Sequence, residues 1–447
     1  MDQQHVLTLE VSSRHARIYE EGWQSWSPSQ SYSVAEQPAR AASALNYRGG
    51  YGGTRPMPDP GNFSGEGLLA LDPGTGSRIV VIGAGSAADA VPRITARHIG
   101  DEVAVWADGE VLVTDHPAEA GIPAALAAFG DRFAGSVPPP RAAPTLWCSW
   151  YHYFTGVTQA DMTENIAAIA ELDLPVEVIQ LDDGYQSEIG DWLSLSDRFD
   201  SLAEMVARIT DTGRRAGIWI APFLAGARSR LAAEHPDWLV SDADGPVLAT
   251  SNWNQDNFGL DTTHPGVQAY LAEVFAHFLD LGFDFFKADF LFAGALDGER
   301  HSELSPVAAY RQGLREIRQA LGDAYLLGCG APILPSVGLV DAMRVGPDTA
   351  PHFEPAGGDL SKPGGRSAIV TSTGRAWQHG RFWVNDPDCL IVRPEVENRE
   401  ALADCIARVG GLRGSSDRIA DLDEWGLERT RALLGSAPGP TPLVAAA

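Results

Sequence analysis

Apolar positions along the chain follow two different rhythms, and the change between them falls near residue 140. Before it, short β-type runs dominate (His5–Val11, Ile79–Ile82, Val103–Trp106, Val111–Val113), broken by Gly, Pro and Ser as in Tyr47-Arg48-Gly49-Gly50-Tyr51-Gly52-Gly53. No helical periodicity is evident there, and residues 1–140 read as an antiparallel, sandwich-like β domain. Pro138-Pro139-Pro140 then stiffens a linker.

From 141 to 420 apolar strand-like runs alternate with amphipathic stretches. Strands are predicted at Leu146–Tyr153, Glu177–Asp182, Ala216–Phe223, Phe283–Phe290, Tyr325–Gly330, Ala342–Gly346, Phe382–Leu390 and Gly411–Ser415. Helices are predicted at Thr158–Leu172, Ser201–Arg215, Pro265–Leu281 and Pro306–Leu321. Eight strands in this alternation predict an α/β fold, a (β/α)8 TIM barrel whose active site is built at the strand C-termini. A doubly wound sheet is the alternative, disfavoured because no Gly-rich phosphate turn follows the first strand. The connection after the fifth strand is short and irregular. Residues 421–447 read as one helix, Trp425–Leu434, and a Pro- and Ala-rich tail.

Composition narrows the function. With 44% hydrophobic and 21% charged residues, the 447-residue chain is ordinary globular material. A net charge of −26 argues against a nucleic-acid partner or an anionic membrane surface. No apolar run approaches the roughly 20 residues of a membrane span. The start, Met1-Asp2-Gln3-Gln4-His5, lacks a basic segment followed by an apolar one, and the four cysteines have no metal-like or disulfide-framework spacing, so a cytoplasmic location is expected. Among 33 basic residues only Lys287 and Lys362 are lysines.

One of them lies in the fourth predicted strand, two residues from Asp289, so both side chains leave the strand on the same side. Buried charges are costly unless paired or used. The pair is therefore a structural ion pair or a carboxylate held ionised for nucleophilic work. The second strand ends in Asp182-Asp183, of which turn chemistry explains one but not both. His and further carboxylates do not cluster at ligand spacing, so no metal and no cofactor is expected. Tryptophans recur near the predicted strand ends (Trp147, Trp150, Trp192, Trp219, Trp383), as suits stacking on a sugar face. Arg344 and Asp348 follow on the sixth strand, which places Asp348 across the mouth from Asp289. Two facing carboxylates, one ionised and one protonated, are what glycoside hydrolysis requires.

In this order the motifs resemble the α-galactosidases of glycoside hydrolase family 36 and their clan relatives, over roughly Leu146 to Ser416. Trp147-Cys148-Ser149-Trp150 is similar to the family's first strand. Leu181-Asp182-Asp183-Gly184 with Gly190-Asp191-Trp192 resembles its paired-aspartate segment, and Gly217-Ile218-Trp219 its third strand. Lys287-Ala288-Asp289 resembles its nucleophile strand, Gly328-Cys329-Gly330 its cysteine segment, and Arg344-x-x-x-Asp348 its arginine and acid/base pair. Gly22-Trp23-Gln24-Ser25-Trp26-Ser27 is similar to a loop of the β domain that reaches over the site in some relatives.

The resemblance implies a retaining, exo-acting α-galactosidase with Asp289 as nucleophile and Asp348 as acid/base. It also implies a carbohydrate-binding set of Asp182, Asp183, Trp192, Trp219, Lys287, Cys329, Arg344, Trp23 and Trp26. In that set Asp182 and Asp183 hold the O4 and O6 hydroxyls, and Arg344 lies near the 2-hydroxyl. The partner implied is a small-molecule carbohydrate, and the assembly a homo-oligomer. Ala288 stands where relatives carry an aromatic and is expected to open room beside the nucleophile. Alternatives are an α-N-acetylgalactosaminidase, another α-glycosidase or transglycosidase of the clan, and a catalytically inactive carbohydrate-binding barrel.

Overall fold

The computed structural model describes residues 3–41, 55–135, 137–436, 438 and 442. The Gly-rich stretch at 47–53 and nearly all of the tail beyond 436 lie outside the described residues.

Two antiparallel sheets form the N-terminal region. The first has four strands in the order Gln4–Glu10, Glu102–Ala107, Arg93–Ile99, Asn62–Glu66. The second has five, in the order Gln30–Ser33, Arg17–Glu20, Leu68–Asp72, Arg78–Gly83, Leu112–Pro117. Strand alternation divides the runs at 68–71 and 79–82 between two cores. Leu69, Leu71, Val80 and Ile82 meet Ile94, Val103 and Val105 of the first sheet. Leu68, Ala70, Ile79 and Val81 face the other way, onto Ile122, Leu126 and Phe129. Those last residues belong to a helix, Gly121–Ala134, in a region where no helical period was expected. Its Ala-rich sequence has little polar contrast because it is wedged between sheet and barrel, with Phe129 on Trp377 and Phe133 on Phe382.

The barrel is as predicted. Its eight parallel strands are Thr145–Cys148, Val178–Leu181, Arg215–Ile220, Phe283–Ala288, Tyr325–Gly328, Ala342–Arg344, Val384–Asp386 and Arg413–Ser415, with the eighth paired to the first. Between the seventh and eighth, the ring closes through Asn385 O, which accepts from Gly411 N and Leu412 N at 3.0 Å each. Predicted strands ran too long at their C-terminal ends, where the chain turns to build the mouth. The first stops at Cys148, and Trp150–Tyr153 forms a helical turn. The seventh stops before Pro387, which has no N–H to continue a ladder. Helix starts follow local chemistry: Thr158 and Asp161 form a capping box, and Ser305 caps a helix with Pro306 in its first turn.

Two departures from regular alternation shape the mouth. After the third strand, residues 224–259 insert a three-stranded antiparallel sheet, Leu224–Gly226, Gln255–Gly259 and Leu248–Asn252. After the fifth, only a 3-10 turn, Leu334–Ser336, precedes the sixth strand. The β domain fills that gap: Ser25 N donates to Ala331 O (3.0 Å), and Ile333 N donates to Trp23 O (2.9 Å).

Candidate active site

The fourth strand shows how alternation sorts side chains. Phe286 packs outward on Phe275 of the helix Pro265–Asp280, whereas Phe285 stacks on Tyr325 within the second core. Two and four residues after Phe285, Lys287 and Asp289 line a cavity of about 260 Å³ at the barrel mouth. Ala288, between them, joins the helix-side core and lines no part of the cavity, so the expected room beside Asp289 does not exist. Position in the strand, rather than side-chain size, decides this.

Asp289 prolongs the ladder through its N–H to Ile220 O (2.8 Å). Its Oδ2 accepts from Trp219 Nε1 (3.0 Å) and its Oδ1 from Phe290 N (2.8 Å). Phe290 adopts φ +50°, a sparsely populated conformation for a side chain of this size, at a residue that itself lines the cavity. The ammonium of Lys287 stands 3.0 Å from Asp182 Oδ2 and 3.9 Å from Asp289 Oδ2, so its closer partner is on the second strand. Burial works against its charge, but Asp182 and Asp289 outweigh that, and Lys287 is held well above the usual range.

Asp182 Oδ2 also accepts from Gln180 Nε2 (2.7 Å), and its Oδ1 from Asp183 N (2.9 Å). Asp183 accepts from Gln186 Nε2 and Trp253 Nε1, both at 2.6 Å. Burial pushes its carboxyl up to about 6, against the pull of these two donors. Asp348 lies four residues beyond Arg344, and its Oδ1 accepts from Arg344 Nη1 at 2.9 Å. Burial again is the main cause that pushes this carboxyl up to about 6; Arg344 opposes the shift, and Asp388 and Asp289 add to it.

Arg344 is spanned by three carboxylates, because Asp386 (3.2 Å) and Asp388 (2.7 Å) from the seventh strand and its end also hold it. It is fully buried and is not among the residues that line the cavity. Three other expected binding residues also stand back. Trp192 is fully buried and packs edge-on to Trp219 at 5.8 Å; Asp191, beside it, accepts from Arg230 N and Leu231 N at the start of a short helix. Cys329 donates its N–H to Ala288 O (2.8 Å), and its thiol is buried. Trp23 packs into the main core. By contrast Trp26, three residues on, reaches the cavity wall and packs on Phe290 at 5.0 Å. This approach requires Gly330: it has φ +52°, and a Cβ there would lie 2.9 Å from the Trp26 ring.

Trp150, one of the strand-end tryptophans, also lines the wall; the rest of it, Asn252, Trp253, Phe290, Ser361, Lys362 and Pro363, carries no site signal in the sequence reading. Trp253 and Asn254 form the two-residue turn between paired Asn252 and Gln255, both at φ +54°. Such a turn favours Asn-Gly. A Trp in that conformation between two asparagines is the signal that could have flagged it. Among the described residues, no three His, Cys, Asp or Glu side chains are grouped to hold a metal ion.

The family model described as the glycosyl hydrolases family 31 TIM-barrel domain matches residues 136–311. Over nearly the whole chain, the structure is similar to the α-galactosidase TtGalA of Thermus thermophilus in complex with p-nitrophenyl α-D-galactopyranoside. The TM-score is 0.80 at 28% identity, covering 98% of this chain and 97% of that one. The chain is thus similar to glycoside hydrolases, α-galactosidases among them. A bifunctional α-galactosidase/sucrose kinase, AgaSK of Mediterraneibacter gnavus, is 32% identical over 108 residues, 22% of this chain and 11% of that protein. The match thus spans about a tenth of this glycoside hydrolase relative. The family 36 enzyme AgaA of Geobacillus stearothermophilus shares the fold at TM-score 0.64 and 13% identity, over 96% of this chain and 62% of its own.

Proposed function

We propose that this glycoside hydrolase is a retaining, exo-acting α-galactosidase. The observation that carries the reading is the convergence of four carboxylates on one small cavity: Asp289 and Asp348 from the fourth and sixth strand ends, Asp182 and Asp183 from the second. The full-length likeness to TtGalA, seen with an α-galactoside bound, supports the sugar.

In the first half-reaction a carboxylate oxygen of Asp289 bonds to the anomeric carbon as the glycosidic C–O bond breaks. Asp348 gives its proton to the departing oxygen. In the second, Asp348 takes a proton from water, whose oxygen attacks the anomeric carbon and releases Asp289. Trp219 and the Phe290 amide orient Asp289 by donating to its two oxygens. The raised pKa of Asp348 suits the acid role, and Asp182 and Asp183 are the acceptors for the ring hydroxyls.

Turnover of p-nitrophenyl α-galactoside, followed by NMR, tests the reading. The α-anomer of galactose is expected first, and Asp289→Ala is expected to stop turnover while the protein stays folded. A β-anomer would overturn retention. Preference for an α-N-acetylgalactosaminide or α-glucoside in the same assay would overturn the sugar. For the setting, we keep a cytoplasmic homo-oligomer as the proposal; the four buried, unbridged cysteines support a reducing compartment. No helix among the described residues is long and apolar enough to cross a membrane.

A further inference from the structure

Both lysines of the chain, out of 33 basic residues, line the cavity. Lys287 is held between carboxylates, but Lys362 forms no ion pair within the described residues, although the chain carries a net charge of −26. Its loop is nonetheless fixed. Lys362 N donates to Asp359 O (2.9 Å), Ser361 bonds Asp359 Oδ1 through both N and Oγ, and Pro363 restricts the backbone before it. Two residues on, Gly364 N donates to Asp348 O at 3.0 Å. Lys362 is thereby fastened to the backbone of Asp348, which lines the same cavity. Across the cavity, Trp150, Asn252 and Trp253 also line a second groove of about 700 Å³, continued by Ser251, Asn254 and Gln255. Its wall joins these amides and hydroxyls to the two Trp rings and the carboxylate of Asp256, a lining that suits neutral hydroxylated ligands.

Resting on the glycosidase reading above, we propose that Lys362 is a specificity-determining residue for the leaving group. Its ammonium donates to a hydroxyl of a neutral saccharide that enters the second groove between Lys362 and Trp253. The transferred sugar is held separately by Asp182, Asp183 and Lys287. An acidic leaving group is the less favoured occupant, because the strongly negative chain repels anions.

The test compares kcat/KM for p-nitrophenyl α-galactoside, whose leaving group carries no hydroxyl of this kind, with that for an α-galactosyl disaccharide. Lys362→Met is expected to lower the disaccharide value roughly tenfold more than the aryl value, the size of one charge-assisted hydrogen bond. Lys362→Arg is expected to restore part of it. Equal losses on both substrates, or none on either, would overturn the proposal, as would a loss confined to disaccharides with a uronate leaving group. Should the unaltered protein turn over neither substrate, the glycosidase reading falls. Calorimetry of the disaccharide with and without Lys362→Met in the Asp289→Asn protein then still decides Lys362: weaker binding by roughly tenfold supports it, and equal binding refutes it.

Discussion

Glu21 and Asp348 are both carboxylates set against an arginine inside the protein, yet their surroundings differ in kind. Glu21, at the joint between β domain and barrel, receives four donors. Arg375 Nε and Ser29 Oγ bond one oxygen (2.7 and 2.8 Å), and Tyr19 Oη and Gln378 Nε2 bond the other (2.8 and 3.0 Å). Both Glu21 and Arg375 are fully buried, and Arg375 also ties down the carbonyls of Gln24 and Ser25. Asp348 receives one donor among the described residues, from Arg344, and part of its side chain stays open to the cavity. A saturated carboxylate fixes geometry and has nothing left to give. An under-supplied one sits near its protonation point and can exchange a proton with a substrate. The protein builds its joint the first way and its proposed acid the second.

The sharpest way to break this contrast is to exchange the readouts. Asp289→Ala should cost roughly 10⁴-fold or more in turnover, while its urea midpoint stays close to that of the unaltered protein. Glu21→Ala should do the reverse first. It leaves a buried guanidinium without its carboxylate, and a loss of roughly 3–5 kcal/mol in urea denaturation is expected. If Glu21→Ala unfolds at an unchanged midpoint, the joint is not organised around this pair.

A smaller effect concerns pH. Asp348 must carry a proton to act, so kcat/KM should fall as pH rises through about 6. Asp183 accepts hydrogen bonds as a carboxylate, so binding should weaken as pH falls through about 6, giving a narrow bell around that value. Trp253→Phe removes a donor that favours ionised Asp183. Its acidic limb should therefore move to higher pH while the alkaline limb stays. A shift of both limbs would mean that the two carboxylates titrate as one unit. The smallest effect is expected at Trp192. Its Nε1 has no hydrogen-bond partner among the described residues, and Trp192→Phe should cost under about 1.5 kcal/mol in urea denaturation if repacking follows.

Much of the barrel was legible in the sequence because parallel strands buried on both faces write themselves as apolar runs, and Gly, Pro and capping residues punctuate the helices. The carboxylates were legible for the same reason, as charges such as Lys287 and Asp289 inside a run that should have none. What stayed hidden depends on contacts distant in the chain. Gly121–Ala134 is apolar nearly all round because two partners flank it, so its period is blurred. Arg344 reads from the sequence as paired with Asp348 alone, and its two further partners, Asp386 and Asp388, lie some 40 residues on. Trp253 and Lys362 sit on loops whose direction no local pattern specifies. Trp23 and Trp26 share one motif, and only the docking of the loop on Gly330 decides that Trp26 faces the cavity.

That docking has a consequence for how such an enzyme can be taken apart. Trp26 is a wall of the candidate chamber contributed by the β domain, and it is seated where the barrel lacks a helix. The barrel is therefore not an independent module. A version cut free of the first 140 residues would keep its four carboxylates in a more open, wetter chamber, with Phe290 packed on Trp253 but no longer on Trp26. A chimera that swaps the β domain for another would have to bring along a residue to replace Trp26.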